Sequence, residues 1–132
     1  MSDQNLQTIH RLYEAMAARD AAVIADCFAD DVSIYQTPEL PWGGDRHGHD
    51  GVLNFFLTIL EHIQSRVEHD VIYAAGDHVV QRGRTKGTTT RGDVTFDVAE
   101  THLFELRDGK IIRFEVYIDT PAMLDALERA QA

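Results

Sequence analysis

The chain has 132 residues, 44% of them apolar, which is enough for one domain with a real core and too few for two. A formal net charge of −10 argues against nucleic acid and against an anionic membrane, since both need a basic patch. No apolar run reaches the roughly 18 residues that span a bilayer. The start, MSDQNLQTIHRLYEAM, lacks the basic and apolar parts of a signal peptide, and the single Cys27 leaves no internal disulfide. A soluble cytoplasmic protein is expected.

In chain order, Leu6, Ile9, Tyr13 and Met16 recur on one face and predict a first helix, capped by Ser2 or Asp3. A short second helix follows from Asp20, with Val23, Ile24, Cys27 and Phe28 inward. Asp31–Tyr35 reads as a short strand. Residues 36–51 (QTPELPWGGDRHGHDG) hold two prolines and four glycines and predict a long loop without regular structure. Trp42 in that loop plugs a core edge or covers a cavity mouth, because connections of this length often act as lids. A third helix is expected from an Asp50 N-cap. Val52, Leu53, Phe55, Phe56, Leu57, Ile59, Leu60 and Ile63 cover most of its circumference, so it should be buried on several sides across the sheet.

The remainder reads mainly as strand. Val67, His69, Val71 and Tyr73 alternate before a turn at Gly76-Asp77, and Val79–Thr90 forms the next strand. Arg107-Asp108-Gly109-Lys110 is a tight-turn sequence between two long strands. Before it Val98, Glu100, His102, Phe104 and Leu106 share a face; after it Ile112, Phe114, Val116 and Ile118 do. Combined across the hairpin, they make an apolar floor carrying two polar residues, Glu100 and His102. Thr101, Leu103, Glu105, Arg113, Glu115 and Tyr117 form a mixed outer face. Thr120 caps a final helix that has Pro121 at its first position. The order predicts a single α+β domain over residues 1–132: a curved antiparallel sheet wrapped by helices into a cone with a pocket inside.

The chain resembles the SnoaL-like and ketosteroid isomerase-related proteins of the nuclear transport factor 2-like superfamily. The resemblance rests on IHRLYEAMAARD, CFADDVSIY, LPWGGDRHGHDGVLNFF, HLFELRDGKIIRF and the closing YIDT, and it covers nearly the whole chain. It implies a cone-shaped (cystatin-like) roll, a homodimer formed through the outer sheet face, and a small hydrophobic ligand. Fold alone leaves the chemistry open. The pocket histidine of SnoaL-type cyclases falls on His102, but their aspartate falls on Val116. The base aspartate of the ketosteroid isomerases falls on or near Gln36. Their tyrosine falls at Leu12, one residue from Tyr13, and their second acid at Thr101 or His102. Limonene-type epoxide hydrolases need an Arg-x-Asp where this chain has Gln81-Arg82-Gly83-Arg84, and their last aspartate again falls on Val116. No constellation is complete.

His102 is the leading catalytic candidate, because a neutral imidazole in an apolar pocket is a ready general base. Glu100 would orient or charge it. The plainer alternative is a buried histidine bonded to a neighbouring strand or tyrosine. Asp119 is a second candidate at the pocket rim, or else a cap for the final helix. Tyr13 would hold an oxyanion or simply pack in the core. Trp42, Phe56, Phe104, Phe114, Val116 and Ile118 are the expected ligand-lining residues. His47-Gly48-His49-Asp50 has metal-ligand residue types but no second cluster, so it reads as a polar loop and no metal is expected. Arg82, Arg84 and Lys86 share one side of a strand; they could steer an anionic ligand, but balancing a surface rich in Asp and Glu is the plainer explanation. The residues together suggest a cofactor-independent isomerase, cyclase or dehydratase acting on an apolar carbonyl compound, or a carrier of such a compound without catalysis.

Overall fold

A computed structural model describes residues 2–131, with side chains from Asp3 onward. Its elements are α1 (Ser2–Ala18), α2 (Ala21–Asp26), β1 (Phe28–Gln36), β2 (Gly44–His47), α3 (Gly48–His62), β3 (Ile63–Ala75), β4 (His78–Thr89), β5 (Thr95–Arg107), β6 (Lys110–Ile118) and α4 (Thr120–Arg129). The six strands form one curved, unclosed sheet in the order β2-β1-β6-β5-β4-β3. All neighbours are antiparallel except β1 and β6, which run parallel. The expected α+β cone is present. Ile9, Leu12 and Tyr13 of α1 pack against the inner face of the sheet, and so do Phe55 of α3 and Met123 of α4. No helix among the described residues is long and apolar enough to cross a membrane.

The β5–β6 hairpin follows the sequence alternation closely. From Phe96 to Leu106 every second residue of β5 is buried. Asp108 and Gly109 at the turn have φ of 52° and 74°, the left-handed pair that a two-residue hairpin demands. A bulge shifts the register from Glu105↔Arg113 to Leu106↔Ile111. Ile111, rather than the expected Ile112, therefore takes the fully buried place.

A second bulge corrects the reading of β3. His69 pairs with Gly83 and Val71 with Arg82, so Asp70 is the extra residue. Beyond it the parity reverses. Ile72 and Ala74 pack inward, whereas Val71 and Tyr73 are exposed.

The long loop is shorter than its composition suggests. Gly44–His47 pairs with Ser33–Gln36 as an edge strand, and the helix begins at Gly48. His47, not Asp50, is the N-cap, and it makes no side-chain cap bond. Nor is α3 buried on several sides. Val52 and Phe55 are buried, but Leu53, Leu57 and Leu60 are 53%, 52% and 39% exposed. Ile63 belongs to β3 and Phe28 to β1, each one element beyond its expected helix. α4 is capped by Asp119, whose side chain accepts from the Ala122 N–H at 3.2 Å, one residue before the expected Thr120. α1 is already helical at Ser2 and Asp3, so neither is the cap that the sequence suggested.

Candidate active site

His102 lies on the inner face of β5, opposite Gln81 of β4 and Val116 of β6. Its ring is buried among aromatics, edge-on to Phe114 and Phe104. Both ring nitrogens have neighbours. Nδ1 lies 2.6 Å from the Tyr13 hydroxyl, and Nε2 lies 3.5 Å from Glu100 Oε2. The first is a short hydrogen bond. The second is beyond the roughly 3.2 Å limit of an ordinary N–H···O bond.

Glu100 is anchored from the next strand. Gln81 Nε2 donates to its Oε2 and the Thr85 hydroxyl donates to its Oε1. Gly83 sits between those two donors in sequence and directly opposite Glu100 in register. A Cβ on Gly83 would lie 2.1 Å from the Glu68 carbonyl oxygen and 2.6 Å from Gln81 Oε1. Only glycine lets β3 approach and leaves the Gln81 and Thr85 side chains free to converge on the carboxyl group. Gln81 Oε1 is itself buried with no hydrogen-bond partner.

Burial favours the neutral form of each partner. Desolvation lowers the His102 pKa, opposed by the charge of Glu100 and assisted by His69. Desolvation, and then the charge of Glu100, raises the Tyr13 pKa well above the usual phenol range; the Gln81 amide beside its hydroxyl opposes the shift. Near neutral pH the pair is therefore a phenol bonded to a neutral imidazole. Because a hydroxyl both donates and accepts, Tyr13 satisfies either tautomer of the ring.

Inside the cone this polar group borders a cavity of about 70 Å³. Trp42, Phe56, Phe114, Val116 and Ile118, all expected to line the pocket, do so, together with Phe55 and Ile59. Glu100, His102, Thr85, Gln36 and Ser65 are its polar lining residues, and no lysine or arginine borders it. Trp42 is 2% exposed and anchored, its Nε1 donating to Gln36 Oε1 at 2.9 Å. The loop tryptophan is thus a wall rather than a free flap. Tyr13 and Phe104 do not border the cavity. Phe104 stacks behind Phe114, with ring centroids 4.6 Å apart.

Asp119 is exposed and lies away from this cavity. It borders a larger hollow of about 530 Å³ on the outer face, with Glu68, Asp70, Arg82, Arg84 and Tyr117. Only Glu100 and Ile118 border both spaces. Arg84 pairs with Asp97 at 2.5 Å and Lys86 with Glu68 at 2.9 Å, the charge balancing that the sequence suggested. His49 Nε2 contacts the Phe28 carbonyl oxygen at 2.8 Å. No cluster of three or more potential metal-ligating side chains occurs among the described residues.

Sequence reading missed the roles of Gln81 and Thr85. Their period-two spacing about Gly83 was a usable signal, because it puts three small or polar residues on the inner face of a strand. Gln36 was noticed only as a position lacking a carboxylate; it holds the tryptophan.

A search of curated proteins finds no match. The chain is similar to several solved structures. One is an NTF2-like protein of unknown function from Burkholderia pseudomallei, 28% identical over 96% of this chain and 98% of that one, with a TM-score of 0.89. TerC, co-crystallised with polyporic acid, is 26% identical over 95% of this chain and 98% of its own, with a TM-score of 0.87. A putative SnoaL-like polyketide cyclase from Jannaschia sp. shares the fold at 21% identity, over 96% of this chain and 92% of that one, with a TM-score of 0.85. The SnoaL-like domain model matches residues 9–114. With that match over most of its length and the cone built as described, the chain belongs to the SnoaL-like domain family.

Proposed function

We propose that the chain is a small-molecule acid–base enzyme of the isomerase, cyclase or dehydratase type, acting on an apolar carbonyl-bearing ligand held in the cone. The observation that carries this reading is a neutral, buried His102 on the wall of a mainly apolar cavity. With Nδ1–H donating to Tyr13, the Nε2 lone pair takes a proton from the ligand. The imidazolium so formed faces Glu100, which offsets its charge. Tyr13 keeps the ring in place in both protonation states. It is a positioning residue, because its hydroxyl is spent on His102 away from the cavity. Asp119, as the helix cap, has no part in this scheme. The electron pair left by the proton that His102 takes moves into the ligand carbonyl as an enolate, and His102 returns the proton to the ligand, so the scheme requires no cofactor.

The similarity to TerC, which was crystallised with polyporic acid, supports a small organic ligand. The test is α-proton exchange into D2O for a panel of small ketones, followed by NMR. Wild-type protein should accelerate exchange for at least one ketone, and His102→Gln should remove about 100-fold or more of that acceleration while ligand still binds. Binding without any acceleration would leave the rival reading, a non-catalytic carrier. That rival is favoured by the Tyr13 hydroxyl, which holds Nδ1 within the protein and leaves only Nε2, 3.5 Å from Glu100, for a ligand.

A homodimer belongs to the same proposal. Val71, Tyr73 and Tyr117 are exposed on the outer sheet face, where Arg82, Arg113 and Glu115 supply charges of both signs for an isologous contact. Light scattering of Tyr117→Arg, expected to read half the wild-type mass, tests it.

A further inference from the structure

The 3.5 Å between His102 Nε2 and Glu100 Oε2 is too long for a good direct hydrogen bond and too short to leave either group unaware of the other. A single oxygen atom can lie about 2.8 Å from both. We infer that this gap is the seat of a ligand hydroxyl group (an alcohol, a phenol or an enol), so that the cone selects hydroxyl-bearing ligands over ketones and excludes carboxylates. The inference rests on the reading of the cone as a small-molecule site and adds the ligand class.

The chemistry of the two walls of the gap carries it. Both Glu100 oxygens accept, from Gln81 and from Thr85, so the side facing the gap is an acceptor as well. When Tyr13 donates to Nδ1, Nε2 carries the hydrogen and is a donor. A hydroxyl oxygen accepts from Nε2–H while its own hydrogen goes to Glu100. A ketone oxygen can only accept, and it would hold its lone pairs against a carboxyl oxygen. A carboxylate ligand would place its charge beside Glu100, with no lysine or arginine on the cavity wall to offset it. In the other tautomer both walls accept, and the single hydroxyl hydrogen goes to Nε2 or to Glu100, so a hydroxyl keeps one hydrogen bond where a ketone has none. The orphan Gln81 Oε1 adds a further acceptor and no donor to this neighbourhood. For the proposed enolisation, such a seat favours the enol over its keto form.

The cavity of about 70 Å³ sets the size of the test ligand. At about 15 Å³ for one water, it takes on the order of five heavy atoms, the size of a four-carbon alcohol. Trp42 borders the cavity and is the chain's single tryptophan, so its indole N–H gives one unmistakable NMR signal. The wild-type protein would be titrated with 2-butanol, 2-butanone and butyrate at neutral pH while that signal is followed. A charge-assisted hydrogen bond gained by the alcohol predicts a dissociation constant about tenfold lower for 2-butanol than for 2-butanone, and no saturable shift with butyrate. In Glu100→Gln the bar on butyrate should relax; if that variant does not fold, the wild-type series decides alone. Equal or tighter binding of 2-butanone, or saturable binding of butyrate, overturns the hydroxyl seat. No shift with any compound removes the cone as a small-molecule site and with it the proposed enzyme. Alcohol preference without any ketone exchange in D2O leaves the seat standing and removes only the catalysis.

Discussion

The cavity has two unlike walls. The sheet wall is built from β4, β5 and β6, whose inner residues are fixed in register by ladders on both sides, with Ile63, Ser65 and Val67 of the edge strand β3 beside them. It carries every polar side chain of the buried network except Tyr13. The other wall comes from α3 and the loop before it. There one face of the helix packs Phe55 inward while the opposite face shows Leu53, Leu57 and Leu60 to solvent, and the seal is a single anchored tryptophan. On the sheet wall, position is determined by backbone pairing and by donors such as Gln81 that hold one oxygen each. On the helical wall it is determined by the bulk of apolar side chains. The first wall sets what chemistry a ligand meets, and the second sets how large the ligand can be.

The sharpest way to break this contrast is to cut a large aromatic from each wall. Phe104→Ala and Trp42→Ala should each cost about 3–5 kcal/mol of stability, measured by denaturant unfolding. Only Trp42→Ala should widen the cavity and admit ligands of benzene size, because Phe104 lies behind Phe114 and does not border it. Equal ligand uptake by the two variants would erase the distinction.

Gly83→Ala is next. Its Cβ would meet the Glu68 carbonyl oxygen at 2.1 Å, so β3 and β4 must part locally, at about 1–3 kcal/mol. The Gln81 side chain must also shift. Histidine ¹⁵N spectra of the wild type and the variant should therefore differ in the effect of Glu100 on the His102 signals, beyond what the stability loss alone explains.

The third prediction concerns pH. His102 has a folded-state pKa below its ordinary value of 6.5, because burial disfavours the imidazolium. Below about pH 6.5 the unfolded chain then binds a proton that the folded chain refuses. The contribution is complete above that pH and is lost as pH falls towards the folded value. Unfolding midpoints should decline from pH 7 to pH 5 more steeply for the wild type than for His102→Gln. Parallel declines would mean that His102 is not buried as a neutral ring.

The smallest effect is expected on the solvent side of the helical wall. Leu57→Gln should change stability by no more than about 0.5 kcal/mol, since the side chain is half exposed. A loss several times larger, seen by calorimetry, would show that this face is covered in solution.

Legibility in the sequence followed the same division. The β5–β6 hairpin could be read residue by residue, because a half-buried strand alternates at period two and Asp108-Gly109 marks its turn. His102, Glu100 and their apolar neighbours were therefore placed on one face correctly. α3 defeated the same logic. Seven apolar residues around a helix normally mean burial all round, yet three leucines face out, and nothing in the periodicity distinguishes them from Phe55. The two bulges were invisible for a different reason. One extra residue, Asp70 or Ile112, reverses the parity of everything beyond it without changing the apolar count. The edge strand Gly44–His47 was hidden by its glycines: its pairing comes from β1, not from its own propensity. Tyr13 was legible as a buried helix residue. That its hydroxyl meets His102, 89 positions away, is a property of the packing alone.

The parallel pairing of β1 with β6 has a consequence for how the molecule is made. Ile34 lies opposite Phe114, 80 positions later (114 − 34). On a ribosome, therefore, the first third of the chain emerges with two helices and a β-ribbon that have no sheet to join until the last strand is synthesised. Until then β1 and β2 are a two-stranded ribbon with an open edge, and such ribbons are marginal in water. Closure of the long loop must precede its reward, so sheet completion should be the slow step of folding. A chain truncated before residue 110 would leave the β1 edge bare and prone to pairing with other chains.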